Sequence, residues 1–434
     1  MNAEQKAKEA QKAALELSNA PDEERSEALR RIAEGIEERE DELLEANERD
    51  VKEAEEMLER GEYTQALVDR LKLDSAKVSS IAEMVRGVAG QEDPVGETLA
   101  ARELDEGMNL YKVSVPIGVV GSVFESRPDA LPQIASLCLR SGNAAVLKGG
   151  SEAEGSNRVL FEAIREATSE TDVPDGWVQL VESREDVETL LGMDEHVDLL
   201  MPRGSTAFVR HVQDNTKIPV LGHTEGVCHV YVDRDADLEK AERIAYDAKV
   251  DYPAACNAVE TVLVHEAVAE GFIPRIAERY GEAGVEVRGD ERTRELIEAR
   301  EATDEDWTTE YGDLAVSVRV VGSLGEAVDH ANTYGSKHTD SILTEDEGNA
   351  RRFMEGVDSA SVFHNASTRF SDGFRYGLGA EVGISTGKTH ARGPVGVEGL
   401  TTYKWYIKGD GHVAGDYRGE DAREFTHRDF DGDW

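Results

Sequence analysis

The sequence predicts an α/β protein with two doubly wound domains and a small β element. Three observations carry that prediction. The chain has 434 residues, too many for one ordinary core, so two or three domains are expected. Strand-like and helix-like segments alternate twice, from Ile117 to about Val220 and again from His229 to about Ala380. Such alternation implies parallel sheets covered by helices on both faces. Between Gly96 and Pro116 the pattern changes to short strands, Thr98-Leu-Ala-Ala and Leu110-Tyr-Lys-Val-Ser-Val, split by Asp105-Glu-Gly. That segment reads as a hairpin.

Residues 2–60 read as helices, with Pro21-Asp22 as the first break and their charge runs as solvated faces. After the hairpin, Gly118-Val-Val-Gly-Ser-Val, Ala144-Ala-Val-Leu, Val178-Gln-Leu-Val and Val197-Asp-Leu-Leu-Met are the strand candidates. No Gly-x-Gly-x-x-Gly opens this region, so the ordinary dinucleotide fingerprint is absent. Pro202-Arg-Gly-Ser-Thr206 joins the strand ending at Met201 to a helical stretch near Ala207. A Ser or Thr there suits an N-cap, and a glycine at a helix start also lets a pyrophosphate approach the backbone N–H groups. In the second region, Cys256 follows a Tyr252-Pro turn signal and precedes the β-branched run Thr261 to Val264. Most lone cysteines are buried and inert, but a loop feeding a buried strand also suits a covalent nucleophile. The tail from Ala414 to Trp434 is polar and acidic, and is expected to be mobile.

Lys plus Arg is 48 against 90 for Asp plus Glu, a net charge of −42. That balance argues against nucleic acid or an anionic membrane as the main partner. With 39% hydrophobic residues and intact core-like runs, the acidity belongs to the surface of a folded protein. It suggests a salt-rich, halophilic cytoplasm in which screening relieves self-repulsion. Cys138, Cys228 and Cys256 form no CxxC, which fits a reducing compartment. His223 and His229 flank Cys228 without a third convincing ligand, so no metal is expected. No leader-like apolar segment or membrane-length run is visible, and the chain reads as soluble and cytoplasmic.

Five blocks carry a family resemblance. Tyr252-Pro-Ala-Ala-Cys-Asn-Ala258, with Glu260-Thr261 beyond, resembles the catalytic-cysteine segment of the γ-glutamyl phosphate reductases, within the aldehyde dehydrogenase superfamily. The others are Val115-Pro-Ile-Gly-Val-Val-Gly-Ser-Val-Phe-Glu-Ser-Arg-Pro128, the run Cys138 to Ala153, the run Asn365 to Gly373, and Gly377 to Thr386 continuing through His390-Ala-Arg-Gly-Pro394 to Trp405. The resemblance spans about Leu67 to His412.

It implies an aldehyde dehydrogenase-like fold and NADPH-dependent reduction of L-glutamate 5-phosphate to L-glutamate 5-semialdehyde plus phosphate, the second step of proline biosynthesis. It implies an NADP-binding domain over residues 1–95 and 117–225, and oligomerisation strands over 96–116 and 400–413. A catalytic domain over 226–399, whose C-terminal end can return to the cofactor domain, and an acidic tail over 414–434 complete the division. Cys256 would form a thioester, with Asn257 beside it and Arg127 where other members carry an oxyanion asparagine. Lys148 would reach the adenosine ribose. Ser151 stands where enzymes using NAD often have a carboxylate, which leaves room for a 2′-phosphate and favours NADPH. Gly204 and Ser205 would lie near the pyrophosphate and Glu310 near the nicotinamide ribose. Arg127, His223, Ser367, Thr368, Arg369 and Glu381 would surround the substrate. Leu221 takes the position of the water-activating glutamate of hydrolytic members, which favours reduction of the thioester over its hydrolysis. The implied partners are a second copy of the chain, as dimer or tetramer, and glutamate 5-kinase as a docking candidate. An acyl-CoA-forming aldehyde dehydrogenase and a catalytically inactive scaffold remain as alternatives.

Overall fold

Helices at Ala3–Leu17, Asp22–Glu38, Glu40–Glu59, Gln65–Leu71 and Ser75–Ala89 precede the first strand. The first is closed by a capping box between Asn2 and Gln5, and the second starts directly after Pro21, where the sequence placed the break. Their apolar residues recur at helical spacing: in the second, Leu29, Ile32 and Ile36 turn inward while Arg30, Arg31 and Glu34 between them face solvent. This computed structural model describes residues 1–223 and 225–434, with positions 66 and 184 described by their backbone alone.

The hairpin is β1 (Thr98–Asp105) and β2 (Met108–Pro116), antiparallel, with Gly107 supplying the left-handed turn at φ 77°. Then β3 (Val119–Phe124), β4 (Ala144–Gly149), β5 (Val178–Leu180) and β6 (Leu199–Arg203) form a parallel sheet in the order β5-β4-β3-β6. Every residue of β3 and β4 is buried, because helices cover both faces. The chain runs from β3 to β4 and β5 on one side and returns to β6 on the other. The switch point between β3 and β6 opens a crevice beyond their carboxyl ends, which lead into Glu125-Ser-Arg127 and Gly204-Ser205.

The second sheet is also parallel. It contains β7 (Cys228–Val232), β8 (Val259–His265), β9 (Glu286–Gly289), β10 (Arg300–Glu301), β11 (Ala315–Val321), β12 (Thr339–Leu343) and β13 (Ser361–His364), in the order β10-β9-β11-β8-β7-β12-β13. Here it is the amino ends that matter. Cys256 enters β8, Cys228 begins β7 and His338 enters β12, so neighbouring strands bring three distant residues side by side.

A two-stranded element, β14 (Ile384–Ser385) with β15 (Gly393–Pro394), follows. Around it Ala380, Val382, Val395, Val397 and Leu400 pack into the core of the first sheet. Asn143 Nδ2 donates to the Leu400 carbonyl at 2.8 Å, so this end of the second region packs against the first. β16 (Thr401–Lys408) then pairs antiparallel with β2 over its whole length.

The tail departs from expectation. β17 (Arg428–Asp429) pairs with β1, Phe430 meets Tyr111 edge-on at 5.9 Å, and Trp434 stacks on Tyr406 at 4.3 Å. Tyr417 donates to Asp105 at 2.8 Å, and Arg423 pairs with the same carboxylate. Average polarity hides Tyr417, Phe425, Phe430 and Trp434, whose rings dock a segment otherwise too polar to pack. Among the described residues no helix is long and apolar enough to cross a membrane.

Candidate active site

A cleft of about 720 Å³ lies between the carboxyl edge of the first sheet and the amino edge of the second. Cys256 lines it, half-buried, on the loop between the helix Leu238–Val250 and β8. The other cysteines differ sharply. Cys138 is wholly buried and its thiol is pushed up to about 12, and burial raises the Cys228 thiol well above its usual range. Only Cys256 combines access with a scaffold. The Cys228 thiol donates to the Cys256 carbonyl at 3.3 Å from below. A Cβ at Gly226 would lie 2.0 Å from that carbonyl oxygen, so glycine alone lets the chain pass so close under the nucleophile.

Arg369 and Asn257 act on this loop differently from expectation. The Arg369 guanidinium donates to the Asn257 side-chain oxygen and, at 3.1 Å, to Asp251, gripping the loop on both sides of Cys256. The Asn257 amide donates to the Ser371 carbonyl at 2.8 Å. Both side chains line the cleft, and their hydrogen bonds also hold the loop in shape, so neither stands unpartnered where it was expected to act. Ser367 and Thr368 are buried outside the cleft lining, Ser367 capping the turn Thr368–Phe370. The 3₁₀ turn directs them into the protein, so they do not line the cleft where the substrate was expected.

Arg127 does line the cleft. It follows Ser126, whose positive φ of 53° is held by Glu152: the carboxylate accepts the Ser126 N–H at 2.6 Å and its hydroxyl at 3.0 Å. The Arg127 guanidinium makes no hydrogen bond or ion pair among the described residues. Arg203 reaches the same cleft from the end of β6 and donates to Gln133 at 3.2 Å. Desolvation and the like charge of Arg127 destabilise its cation, partly offset by Glu381 and Asp129. Two guanidiniums facing a half-buried thiol make a site that favours an anion. Glu381 also lines the cleft, with its carboxyl pushed upward by burial against the pull of Arg203, and it accepts the Gly373 N–H at 2.9 Å.

His223 lines the cleft and its Nδ1 donates to the Ile384 carbonyl at 2.9 Å. A ring nitrogen of His223, one of the fully buried His338, and Cys256 Sγ all lie within 4.8 Å of one another. The third ligand-type group missing near His223 in the sequence is thus His338, from the start of a neighbouring strand. His229 points elsewhere, to Asp340 at 2.8 Å.

The expected cofactor residues separate into two places. Glu310 lines the Cys256 cleft, on a loop braced by a buried pair in which Lys249 donates to Glu260 at 2.7 Å and to the Asp313 carbonyl at 3.3 Å. Burial lifts the Glu260 carboxyl to about 7 despite Lys249. Gly204 and Ser205 also line it, but their groups are partly spent. Ser205 Oγ accepts the Phe208 N–H at 3.4 Å as an N-cap, and the Ser205 N–H is given to Glu125 at 3.0 Å. The chain's own carboxylate thus occupies the helix start where a pyrophosphate was expected. Lys148, buried at the end of β4, and Ser151, exposed just beyond, lie outside the Cys256 cleft, and Ser151 lines a second crevice with Gly149 and Asn157. Asn157 Oδ1 there is buried without a partner among the described residues, an acceptor that a ribose hydroxyl would satisfy. Both crevices lie along the carboxyl edge of one sheet, so the residues fit an extended dinucleotide reaching from β4 across β3 and β6.

The sequence reading passed over Arg203, Glu125 and His338. Arg203 stood inside the run noted for its glycine, and its place at a strand end was the usable signal. His338 left no local signal, since only strand pairing brings it near Cys256.

Comparison with known proteins fits this geometry. The aldehyde dehydrogenase family matches residues 1–296. The chain is 70% identical over 433 residues to "Gamma-glutamyl phosphate reductase" of Natronomonas pharaonis, covering 99% of this chain and 98% of that one. It is 64% identical over 440 residues to the protein of that name from Haloquadratum walsbyi, covering 100% and 96%. Among solved structures, γ-glutamyl phosphate reductase from Thermotoga maritima superposes with a TM-score of 0.92 at 43% identity, over 95% of this chain and 100% of that one. An acetylating aldehyde dehydrogenase from Geobacillus thermoglucosidasius, at 15% identity and a TM-score of 0.65, shares the fold.

Proposed function

The chain belongs to the aldehyde dehydrogenase family, among its γ-glutamyl phosphate reductases, and on that footing we propose how its cleft reduces L-glutamate 5-phosphate for proline biosynthesis. Cys256 is the nucleophile. Its proton passes to a neighbouring imidazole, His338 or His223, and the thiolate attacks the acyl carbon. The C–O bond to phosphate breaks, and the leaving phosphate departs toward Arg127 and Arg203. Those guanidiniums neutralise charge that grows as the bond breaks, and so stabilise the transition state more than the ground state. Leu221 is buried in the cleft wall, where it keeps water and a general base from the thioester. A bound reduced nicotinamide would supply a hydride to the thioester carbon; the C–S bond then breaks, the aldehyde leaves, and the Cys256 thiolate takes back its proton from the imidazole. Lys148, Ser151 and Asn157 would hold its adenosine end and Glu310 its reactive end. NADPH is the preferred form: Ser151 carries no charge, and Glu152 is turned to Ser126 instead of the ribose crevice.

The observation that carries this reading is the pair of arginines from one sheet edge facing the half-buried Cys256 of the other. It also favours phosphate over coenzyme A as the acyl acceptor in reverse. The test is oxidation of glutamate semialdehyde with NADP. The rate should require phosphate or arsenate, and Cys256→Ala should lower kcat at least a hundredfold, about 2.7 kcal/mol of barrier. Fast oxidation to free glutamate without added anion would defeat it.

We also propose that β16 is covered by a second copy of the chain. Tyr403, Trp405 and Ile407 stand exposed on an edge strand whose other side is bonded to β2.

A further inference from the structure

We infer that Cys256, His223 and His338 form a site for a thiophilic divalent cation of the zinc class, which caps the nucleophile reversibly. Their ligand atoms already lie within 4.8 Å of one another. In a tetrahedral zinc site, bond lengths of about 2.0–2.3 Å put neighbouring ligand atoms about 3.3–3.8 Å apart. Side-chain rotation over a fraction of that distance closes the set. One coordination position then faces the cleft.

Hydrogen bonding prepares both rings. The Ile384 carbonyl can only accept, so the 2.9 Å contact puts the His223 hydrogen on Nδ1 and the lone pair on Nε2. His338 Nδ1 lies 2.8 Å from Thr339 Oγ1 and 3.7 Å from Cys228 Sγ. Both atoms can accept a hydrogen from Nδ1, the Cys228 hydrogen being given to the Cys256 carbonyl, and the tautomer that does so leaves the lone pair on Nε2. Anchoring the N–H of a ligating histidine on a fixed acceptor is what orients it for a metal. The His338 ring is fully buried, its Nε2 has no partner among the described residues, and it stands edge-on to His223 at 5.0 Å. An orphaned buried nitrogen beside a thiol is costly unless something accepts its lone pair. A thiolate with two neutral imidazoles suits zinc, and poorly suits magnesium or calcium, which take oxygen ligands. Arg127 and Arg203 oppose a cation here, while the thiolate and Glu381 offset them in part.

Binding stands on geometry alone, whereas inhibition also rests on Cys256 being the nucleophile. Equilibrium dialysis of the full chain against Zn²⁺ should find one ion per chain. Co²⁺ in its place should give a thiolate charge-transfer band that Cys256→Ala abolishes. His223→Asn and His338→Gln should each weaken binding about tenfold or more. Should the buried His338 variant fail to fold, His223→Asn at the cleft wall decides alone. Zn²⁺ should inhibit turnover, with EDTA restoring it and high acyl phosphate opposing it. Zinc binding that survives Cys256→Ala, or that ignores His223→Asn in a folded protein, overturns the site and leaves the proposed reaction intact. One zinc bound through Cys256 without inhibition would keep the site and overturn the nucleophile assignment.

Discussion

Arg127 and Arg203 illustrate how little sequence separates a structural cation from a functional one. Most arginines on this acidic chain are neutralised where they stand, as Arg86 is by Glu37 and Arg288 by Asp306. Arg127 and Arg203, which line the cleft, make no ion pair among the described residues, and cations so placed in a partly desolvated site favour an anionic ligand. Arg127→Ala and Arg203→Ala should therefore raise the KM for phosphate in the reverse reaction about tenfold to a hundredfold, the worth of a charge-assisted hydrogen bond of about 1.5–3 kcal/mol. A change confined to kcat with phosphate KM untouched would place the leaving group elsewhere. Ser151 answers to the same electrostatics. Ser151→Glu adds a carboxylate beside the ribose crevice, and it should lower kcat/KM with NADPH while sparing NADH. An unchanged ratio between the two cofactors would remove Ser151 from the binding site.

Among the elements, β16 makes the sharpest structural demand. An edge strand with three large apolar side chains exposed along one face invites pairing, and Lys112 over the Tyr403 ring shields only part of it. Sedimentation should show an oligomer that Trp405→Glu converts to a smaller species, and a wild-type monomer at micromolar concentration would remove the idea. The strand itself was expected only through the family resemblance, whereas β3, β4 and β8 were legible because parallel strands buried on both faces read as unbroken apolar runs. The Cys256 loop was legible for a local reason too, since turn and strand signals flank it. What escaped were relations between elements. His338 and Cys256 are brought together by β12, β7 and β8 lying side by side, and no residue near either one encodes that order. Asn257 and Arg369 looked available for chemistry because their mutual hydrogen bond spans loops far apart in the chain. The tail misled through averaging, since four aromatic rings decide its docking while its many charges set its composition.

Taken as a whole, the molecule is a large polyanion, and its stability should depend on salt more than its fold does. The net charge is −42, and the helices Asp22–Glu38 and Glu40–Glu59 place like charges one turn apart, as at Glu34 with Glu38 and Glu55 with Glu59. Each such pair is slightly repulsive, and longer-range terms add over the surface because few cations interrupt it. The available arginines and lysines mostly sit in exposed ion pairs such as Arg158 with Glu154 and Glu182. Salt weakens those as well, but each exposed pair contributes only about 0–1 kcal/mol, so their loss is the smaller effect. The Debye length falls from about 30 Å at 0.01 M salt to about 3 Å at 1 M, which reaches from across a domain down to the spacing of contacting side chains. Repulsion should be screened out over that range faster than attraction is lost. The melting temperature should therefore rise steadily as KCl increases from 0.01 M to 1 M, and kcat should recover with it where low salt loosens the docked tail. Chloride and sulfate salts of potassium at equal ionic strength separate screening from anion occupancy of the Arg127–Arg203 site: equal gains indicate screening, and a larger gain with sulfate indicates the site. A melting temperature that stays flat or falls with KCl would mean that the surface carboxylates are already neutralised within the fold, and the link between this chain's acidity and salt would be lost.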